Sequence, residues 1–229
     1  MMSMTTRLCW PLAIVRDEPD FRRQTTLFER ISEDTMTTQT SHRTNQTNAK
    51  TNTNTNGHVK MYPAAKQLAT KTDLTAQETQ AITEALNPLI ADAFALYVKT
   101  KNFHWHLSGS HFREYHLLFD EQAEAIFGSI DILAERVRRV GGTTIRSISN
   151  ISDLQTIQDD NDEFVTPGEM ARRLMEDNAH IAKMQRAAHE VCEKNRDYAS
   201  ASELEVIIDQ TERRTWFLFE VCQGMDNTN

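Results

Sequence analysis

Residues 101–142 constrain the fold of this chain more than any other stretch, because they combine histidines and carboxylates at helical spacing. The stretch holds four of the eight histidines. His116 and Asp120 are four residues apart, and the same spacing separates Asp131 from Glu135. Residues four apart lie on one face of an α-helix. Both pairs are therefore predicted to share a stripe of one helix, which borders a buried surface because apolar residues are interleaved with it.

The distance between the two pairs limits how they can bind a metal. Asp120 and Asp131 are eleven residues apart, which is ~16 Å along a helix, whereas paired metal ions lie only ~4 Å apart. One helix therefore cannot bring both pairs to the same metal. Either the chain has two sites, or the histidine end of one copy meets the carboxylate end of an antiparallel second copy. In the second case a twofold axis generates two shared sites.

A solvated helix face is the alternative interpretation of these pairs, and two observations weaken it. The carboxylates alternate with apolar positions, beside which an unpaired charge is costly. In addition, His104 lies just upstream, at the end of another helical segment. A helical bundle without a metal would leave a cluster of buried carboxylates unexplained.

The motifs in this stretch resemble the signature of the Dps proteins (DNA-binding proteins from starved cells), a ferritin-like family. The similar segments read KNFHWHLSG, HFREYHLLFDEQ and DILAERVRRVGG, and the layout is similar from about Leu74 to Gly224. The resemblance implies a ferroxidase site at a twofold interface, as the distance argument requires of a single site. Its implied ligands are His104, His116 and Asp120 from one subunit and Asp131 and Glu135 from the other.

The same resemblance implies an activity. It implies oxidation of Fe(II), preferably by hydrogen peroxide, and storage of Fe(III) mineral inside a twelve-subunit shell, with protection of DNA from oxidative damage. Carboxylate and imidazole ligands suit iron and differ from the Cys-rich ligands of a closed zinc site, although zinc or another divalent cation can occupy the same position. Trp105, beside His104, is either a radical scavenger, as proposed for the family, or a packing residue.

The other histidines lack the pattern of a metal site inside one chain. Ferritins with a complete site inside each bundle use a Glu-x-x-His motif, and none of the eight histidines has Glu three residues before it. The sequence also contains no H-E-x-x-H motif, no P-loop and no G-x-G-x-x-G motif. Four histidines outside the implied ligand set are interpreted as surface or satisfied core residues: His106, His111, His180 and His189.

Capping signals and apolar periodicity predict an all-α, ferritin-like four-helix bundle with a short helix in the long middle connection. Thr75 and Glu78 form a predicted capping box, and Thr166 and Glu169 form a second one with proline at the first helical position. Pro88 is expected to bend the first helix. The predicted helices run from about Thr75 to His106, His111 to Val140 before two glycines, Ser152 to Ile157, Thr166 to Asn195, and Ser200 to Gln223 before Gly224.

The charge of the chain is divided between a basic extension and an acidic body. Residues 36–72 carry a net charge of +5, and residues 73–229 carry one of −12. Such a body attracts metal cations, and such a tail can bind DNA. A structural nucleoid protein that coats DNA through the tail, with a vestigial metal site, is therefore the alternative function. The intact set of five ligand types favours the ferroxidase, and a merely solubilising tail is the simpler interpretation of the extension.

The domain organisation follows from the same composition. Residues 36–57 form a Thr/Asn-rich run with almost nothing apolar to bury, which is typical of disorder. Met36 is an alternative translation start. The predicted regions are a largely disordered extension over 1–72, the bundle over 73–225 and a short tail over 226–229.

Two further expectations concern iron access and cellular location. An acidic group of residues lies before and within the start of the third long helix, and it is predicted either to line a pore at a threefold axis or to form a solvated loop. Three scattered cysteines without C-x-x-C spacing favour a reducing cytoplasm, with association to the nucleoid if the tail binds DNA. No segment is expected to span a membrane, since the apolar run Leu8–Val15 is too short. The acidic residues predicted to line the pore or to form the solvated loop are Asp159, Asp160, Asp162, Glu163 and Glu169.

Overall fold

The computed structural model describes residues 65–223, and all of the regular secondary structure in this part of the chain is helical. The predictions for residues 1–64, which include most of the basic tail and the alternative start, and for residues 224–229 lie outside the described residues. The all-α prediction is confirmed. The helices are α1 (Ala76–His106), α2 (Phe112–Arg139), α3 (Ile148–Leu154), α4 (Pro167–Lys194) and α5 (Tyr198–Gln223), preceded by a 3-10 turn at Lys66–Leu68.

The four long helices form the predicted bundle. α1 packs along α2 and α4 packs along α5, while contacts of α1 with α4 and of α2 with α5 close the bundle. The short helix α3 lies in the middle connection and packs on α1. All four long helices place fully buried side chains in one core, including Leu86, Phe103, Phe119, Leu174 and Leu218.

The predicted helix starts are confirmed at α1 and only half confirmed at α4. Thr75 and Glu78 form both bonds of a capping box. At α4 the Thr166 side chain accepts a hydrogen bond from the backbone N–H of Glu169. The Glu169 carboxylate does not complete a box, because it is bound by Arg172 and Arg173 instead.

The short helix lies about four residues earlier than predicted. It begins after Ser147, whose hydroxyl accepts a hydrogen bond from the backbone N–H of Asn150. It ends before Thr156 because the fully buried carboxylate of Asp92, on α1, accepts hydrogen bonds from the backbone N–H groups of Thr156 and Ile157. Those two residues are therefore held outside the helix by a contact that is distant in sequence.

The end of α2 confirms the predicted glycine stop and reveals a contact with the extension. Gly141 has a φ of +93°, a value that favours glycine, and a Cβ at Gly142 would lie 2.1 Å from the Thr83 hydroxyl. Arg138 donates to the backbone oxygen of Leu68 at 2.6 Å, and the Thr70 hydroxyl donates to the backbone oxygen of Arg138 at 2.8 Å. Packing against the bundle therefore begins before residue 73.

Among the described residues, α1 is the one helix that is long and apolar enough to be a candidate membrane span. It does not contradict the expectation that no segment spans a membrane, because 56% of its most apolar window is buried inside the bundle. The core helix of a four-helix bundle has the same composition, because it is surrounded by other helices. Pro88 lies inside α1 and does not end it.

Candidate metal centre at the α1–α2 turn

The turn between α1 and α2 brings His104 and His116 together. Their rings stack with centroids 3.7 Å apart. Nδ1 of His104 lies 2.8 Å from the backbone oxygen of His116, and Nδ1 of His116 lies 3.0 Å from the backbone oxygen of His104. A carbonyl oxygen only accepts, so each Nδ1 is the protonated nitrogen. Nε2 is therefore the ring atom of each histidine that can bind a metal, and a metal-binding histidine usually donates its other ring N–H to a partner of this kind.

Asp120 lies beside this histidine pair. Its Oδ1 is 3.9 Å from Nε2 of His104 and 2.5 Å from Nζ of Lys101. The hydrogen bond from Lys101 holds the pKa of Asp120 below its usual range, and the two histidines contribute a smaller effect. The carboxylate is therefore charged at neutral pH, and a lysine occupies one of the oxygens that a metal would use.

The other implied ligands, Asp131 and Glu135, face away from the core of the single chain. Asp131 is exposed, and the Glu135 side chain is 54% exposed and paired with Arg139. The expectation that the carboxylate stripe is buried is therefore wrong for one copy of the chain. The physical reason is that apolar neighbours on the same stripe, such as Phe127 at 55% exposure, are also uncovered.

Residues 65–223 of a single chain do not assemble a complete metal site. α2 is one uninterrupted helix, so Asp131 lies ~16 Å along it from Asp120. Within residues 65–223, no three histidine, cysteine, aspartate or glutamate side chains are positioned to hold one metal ion. The structure thus brings His104 and His116 together with Asp120 and leaves Asp131 and Glu135 apart.

Lys101 is the residue near the site that sequence reasoning missed. It lies three residues before His104, and residues three apart on a helix are neighbours on one face. That spacing was a usable signal, since a lysine beside two histidines and a carboxylate competes for the carboxylate. Trp105, by contrast, is 63% exposed and contributes nothing to the core of the single chain.

The histidines interpreted as non-ligands have other contacts. Nδ1 of His106 lies 2.9 Å from the backbone oxygen of Asn102. His111 is exposed and meets the Tyr115 ring edge-on. The other two histidines, both on α4, have partners away from the turn. His180 lies 2.7 Å from the Thr156 hydroxyl, and His189 lies 3.3 Å from Glu205.

The acidic group before α4 is largely occupied by two arginines. Nη1 of Arg173 lies 2.7 Å from both Asp160 and Asp162. Hydrogen bonds from Arg172 and Arg173 lower the pKa of Glu169 to about 2. The Asp159 carboxylate accepts a hydrogen bond from Gln155. These carboxylates therefore have partners in the chain that reduce their pull on an approaching cation.

The interior of the bundle has cations where an intrachain metal centre would need ligands. Nζ of Lys99 on α1 lies 2.7 Å from Asp177 on α4. The neighbouring residue on α4, Asn178, accepts a hydrogen bond from the guanidinium of Arg214 at 2.9 Å. Lys99 and Arg214 are both buried. This layer is suited to packing the helices and unsuited to binding Fe(II).

Comparison with known proteins agrees with the fold and the motifs. The family model described as a ferritin-like domain matches residues 83–227. An uncharacterised low temperature-induced protein of Nostoc sp. is 30% identical over 152 residues, which cover 66% of this chain and 85% of that protein. The DNA protection during starvation protein of Brevibacillus brevis is 31% identical over 143 residues, which cover 61% of this chain and 93% of that protein.

Comparison with a solved structure also supports the ferritin-like fold. The Dps protein of Vibrio cholerae O1, described as a member of a broad superfamily of ferritin-like diiron-carboxylate proteins, is 25% identical with a TM-score of 0.62 and covers 66% of this chain and 96% of that one. The bundle and the domain match define a ferritin-like protein. Within that class, the relatives and the histidine pair at the α1–α2 turn show that the chain belongs to the Dps family.

Proposed function

We propose that this protein is a Dps-type ferroxidase and iron-storage cage. It oxidises Fe(II), preferably with hydrogen peroxide, and stores the Fe(III) mineral inside a shell of twelve copies in the cytoplasm. Removing Fe(II) and peroxide together protects DNA from oxidative damage. The similarity to relatives that are named DNA protection during starvation proteins supports this assignment.

The histidine pair is the observation that supports the proposal best. The two imidazoles stack with each Nδ1 at a backbone carbonyl, so that Nε2 is the ring atom each would offer to a metal, and the carboxylate of Asp120 lies next to them. Such N and O donors suit ferrous iron and leave coordination positions open for an oxidant. A packing role would not require both Nδ1 atoms to be fixed by backbone carbonyls.

Completion of the site requires a second copy of the chain. In the proposed arrangement, His104, His116 and Asp120 of one copy meet Asp131 and Glu135 of an antiparallel copy. The exposure of Asp131 and Glu135 in one copy supports this, since a ligand that faces solvent in the monomer is free to face a partner. A twofold axis makes each interface contain two sites.

The iron ions are the substrate, and the side chains bind and orient them. Each Fe(II) gives up one electron, and hydrogen peroxide accepts two electrons and two protons to become water. Oxidation of two Fe(II) ions per peroxide therefore leaves no one-electron reduced oxygen species. Asp120 must leave Lys101 before its Oδ1 can bind iron, so iron binding competes with this ion pair.

Mixed shells test the shared site. One variant has His104→Leu with His116→Leu, the other has Asp131→Asn with Glu135→Gln, and each alone is expected to be inactive. Co-assembled shells should regain part of the ferrous oxidation rate, because some interfaces then contain one intact site. A Glu124→Gln variant, which alters an exposed carboxylate of α2, is the matched control. No recovery in shells shown by mass spectrometry to be mixed would contradict sharing between chains.

Binding of DNA through the basic tail is the second candidate function. Its support is the +5 charge of residues 36–72 against a body of −12, which repels DNA. Twelve tails on one shell would add avidity. Neutralising Arg43, Lys50 and Lys60 to Gln keeps the chain length and should abolish gel-shift of duplex DNA at low salt. Equal binding by this variant and the unaltered protein would contradict the tail as the DNA-binding element.

A further inference from the structure

A groove between α2 and α5 contains a buried arginine that the proposed iron chemistry does not use. The groove has a volume of about 510 Å³, and Arg214 of α5 lines it. Arg214 is only 8% exposed. Its Nε donates to Asn178 Oδ1 at 2.9 Å, and its Nη2 donates to Thr211 Oγ1 at 2.8 Å. Both partners are neutral, so these bonds fix the guanidinium without balancing its charge.

The charge of Arg214 has no counter-ion among the described residues. Burial alone lowers the pKa of Arg214 to about 10, with no contribution from a carboxylate, which would raise it. The guanidinium is still protonated at neutral pH. A buried cation without a partner is unfavourable, and an anion bound in the groove would remove that penalty.

The rest of the lining adds a second cation. Arg213 lies in the same groove, with its guanidinium 5.4 Å from the centre of the Phe217 ring. Glu121 on α2 is the acidic residue of the lining, and it is exposed. Two arginines against one exposed glutamate leave the groove positive on a chain whose net charge is −8.

Gln122 limits which anion fits. Gln122 is 5% exposed and lines the groove. Its Oε1 is buried and accepts no hydrogen bond among the described residues, and a half-turn of the amide, which exchanges Oε1 with Nε2, would present this oxygen to the groove. A ligand that satisfies the whole groove must accept from a guanidinium and donate to an amide oxygen. Hydrogen phosphate does both through its P–O⁻ and P–OH groups. Sulfate at neutral pH only accepts.

We propose that the α2–α5 groove binds inorganic phosphate, with Arg214 and Arg213 donating to its oxygens and Gln122 Oε1 accepting from its P–OH group. The residues that line the groove do not include His104 or His116. It belongs to each chain by itself and does not depend on a partner copy for its lining.

Equilibrium dialysis of radiolabelled phosphate against the metal-free assembled protein tests this site. Iron must be removed first, since Fe(III) itself binds phosphate. The full-length protein should show saturable binding that phosphate displaces better than sulfate. Arg214→Lys keeps the charge but loses the planar fork, and it should weaken phosphate binding by about tenfold, as expected for a lost hydrogen bond to a charged group.

Two milder variants keep the test valid if Arg214→Lys does not fold. Arg213→Gln alters an exposed residue and should also weaken binding, whereas Lys183→Gln removes an exposed positive charge from α4 and should leave binding unchanged. Gln122→Leu should reduce the preference for phosphate over sulfate. Absence of saturable binding, equal displacement by sulfate, or equal loss in Arg213→Gln and Lys183→Gln would overturn the proposal.

Discussion

Two lysines of α1, separated by one residue, each bind an aspartate, yet the two pairs lie in different regions of the bundle. Lys99 pairs with Asp177 inside the bundle, where the side chains are 7% and 18% exposed. Lys101 pairs with Asp120 at the α1–α2 turn, where they are 19% and 38% exposed. The interior pair is enclosed by helices, whereas the outer pair lies next to two imidazoles with free Nε2 atoms.

The difference explains where this fold can place metal chemistry. Burial raises the pKa of Asp177 despite its hydrogen bond from Lys99, which shows that desolvation is the larger effect there. Replacing Lys99 by a metal ion would require removing a buried cation and rebuilding its neighbours. At the turn, a metal ion needs only to displace one lysine from a partly exposed carboxylate. The outer region can therefore exchange its cation, and the interior cannot.

The largest expected effect comes from removing the outer imidazoles. His104→Leu with His116→Leu should reduce the ferrous oxidation rate by about 100-fold or more, because loss of metal-ligand support alone costs up to that factor. Stopped-flow absorbance of ferric product measures the rate. His106→Leu, which alters the exposed histidine two residues from His104, should retain full activity. Comparable losses in both variants would show that the stacked pair has no special role.

The interior pair should affect stability and leave the chemistry unchanged. Lys99→Met leaves a buried carboxylate without its partner, so the free energy of unfolding should fall by about 2–3 kcal/mol. Chemical denaturation followed by circular dichroism measures this change. The oxidation rate per folded shell should stay within twofold of the unaltered protein.

The double variant Lys99→Met with Asp177→Leu is the control for this effect. It replaces both charges by apolar groups, which is often neutral for a buried pair, and should recover most of the lost stability. A large loss of oxidation rate in either variant, at equal folded fraction, would show that the interior pair takes part in iron oxidation. The interior and outer lysine pairs would then not differ in this respect.

A smaller effect is expected from the outer lysine. Lys101→Met removes the cation that competes for Asp120, so affinity for a redox-inert divalent ion such as Zn²⁺ should rise by about two- to fivefold, comparable to one partly exposed ion pair. Calorimetric titration of the assembled protein measures it, with Lys183→Met as the exposed-lysine control. Weaker binding in Lys101→Met would mean that the lysine supports the site instead of competing for it.

The sequence predicted the bundle well because helix signals are local. Thr75 and Glu78 identify the start of α1, and the two glycines identify the end of α2, within a few residues of the contacts that fix them. The end of α3 was misplaced because the segment after it is held by Asp92, 64 residues away from Thr156. No local pattern contains that contact.

For the candidate site, as for the bundle, local spacing could be predicted from the sequence, and contacts between helices could not. Spacing alone singled out His116 and Asp120 as candidate ligands, and the family motif added His104, which the structure places next to them. The cross-bonding of the two imidazoles to backbone carbonyls depends on how α1 meets α2, which no spacing encodes. The exposure of Asp131 and Glu135 was missed because apolar neighbours on a helix predict burial without stating whether one chain or two provide it.

The smallest expected effect concerns iron access past the acidic group before α4. Arg173 forms ion pairs with Asp160 and Asp162. Within this acidic group, Asp159 and Glu163 are therefore the carboxylates that have no arginine partner among the described residues. Asp159→Asn with Glu163→Gln should slow iron uptake by about two- to threefold at low salt, where steering is strongest, and have no effect near 0.5 M salt, where the Debye length is only ~4 Å.

The matched variant separates steering from structure. Asp160→Asn with Asp162→Asn removes the same number of charges but leaves Arg173 with Glu169 as its remaining carboxylate partner among the described residues, so it should perturb the loop and slow uptake at every salt concentration. If the Asp159 and Glu163 variant takes up iron at the normal rate at low ionic strength, the acidic group is a solvated loop. Iron would then enter by a route that these carboxylates do not control, and the contrast between the two lysine pairs would be unaffected by this result.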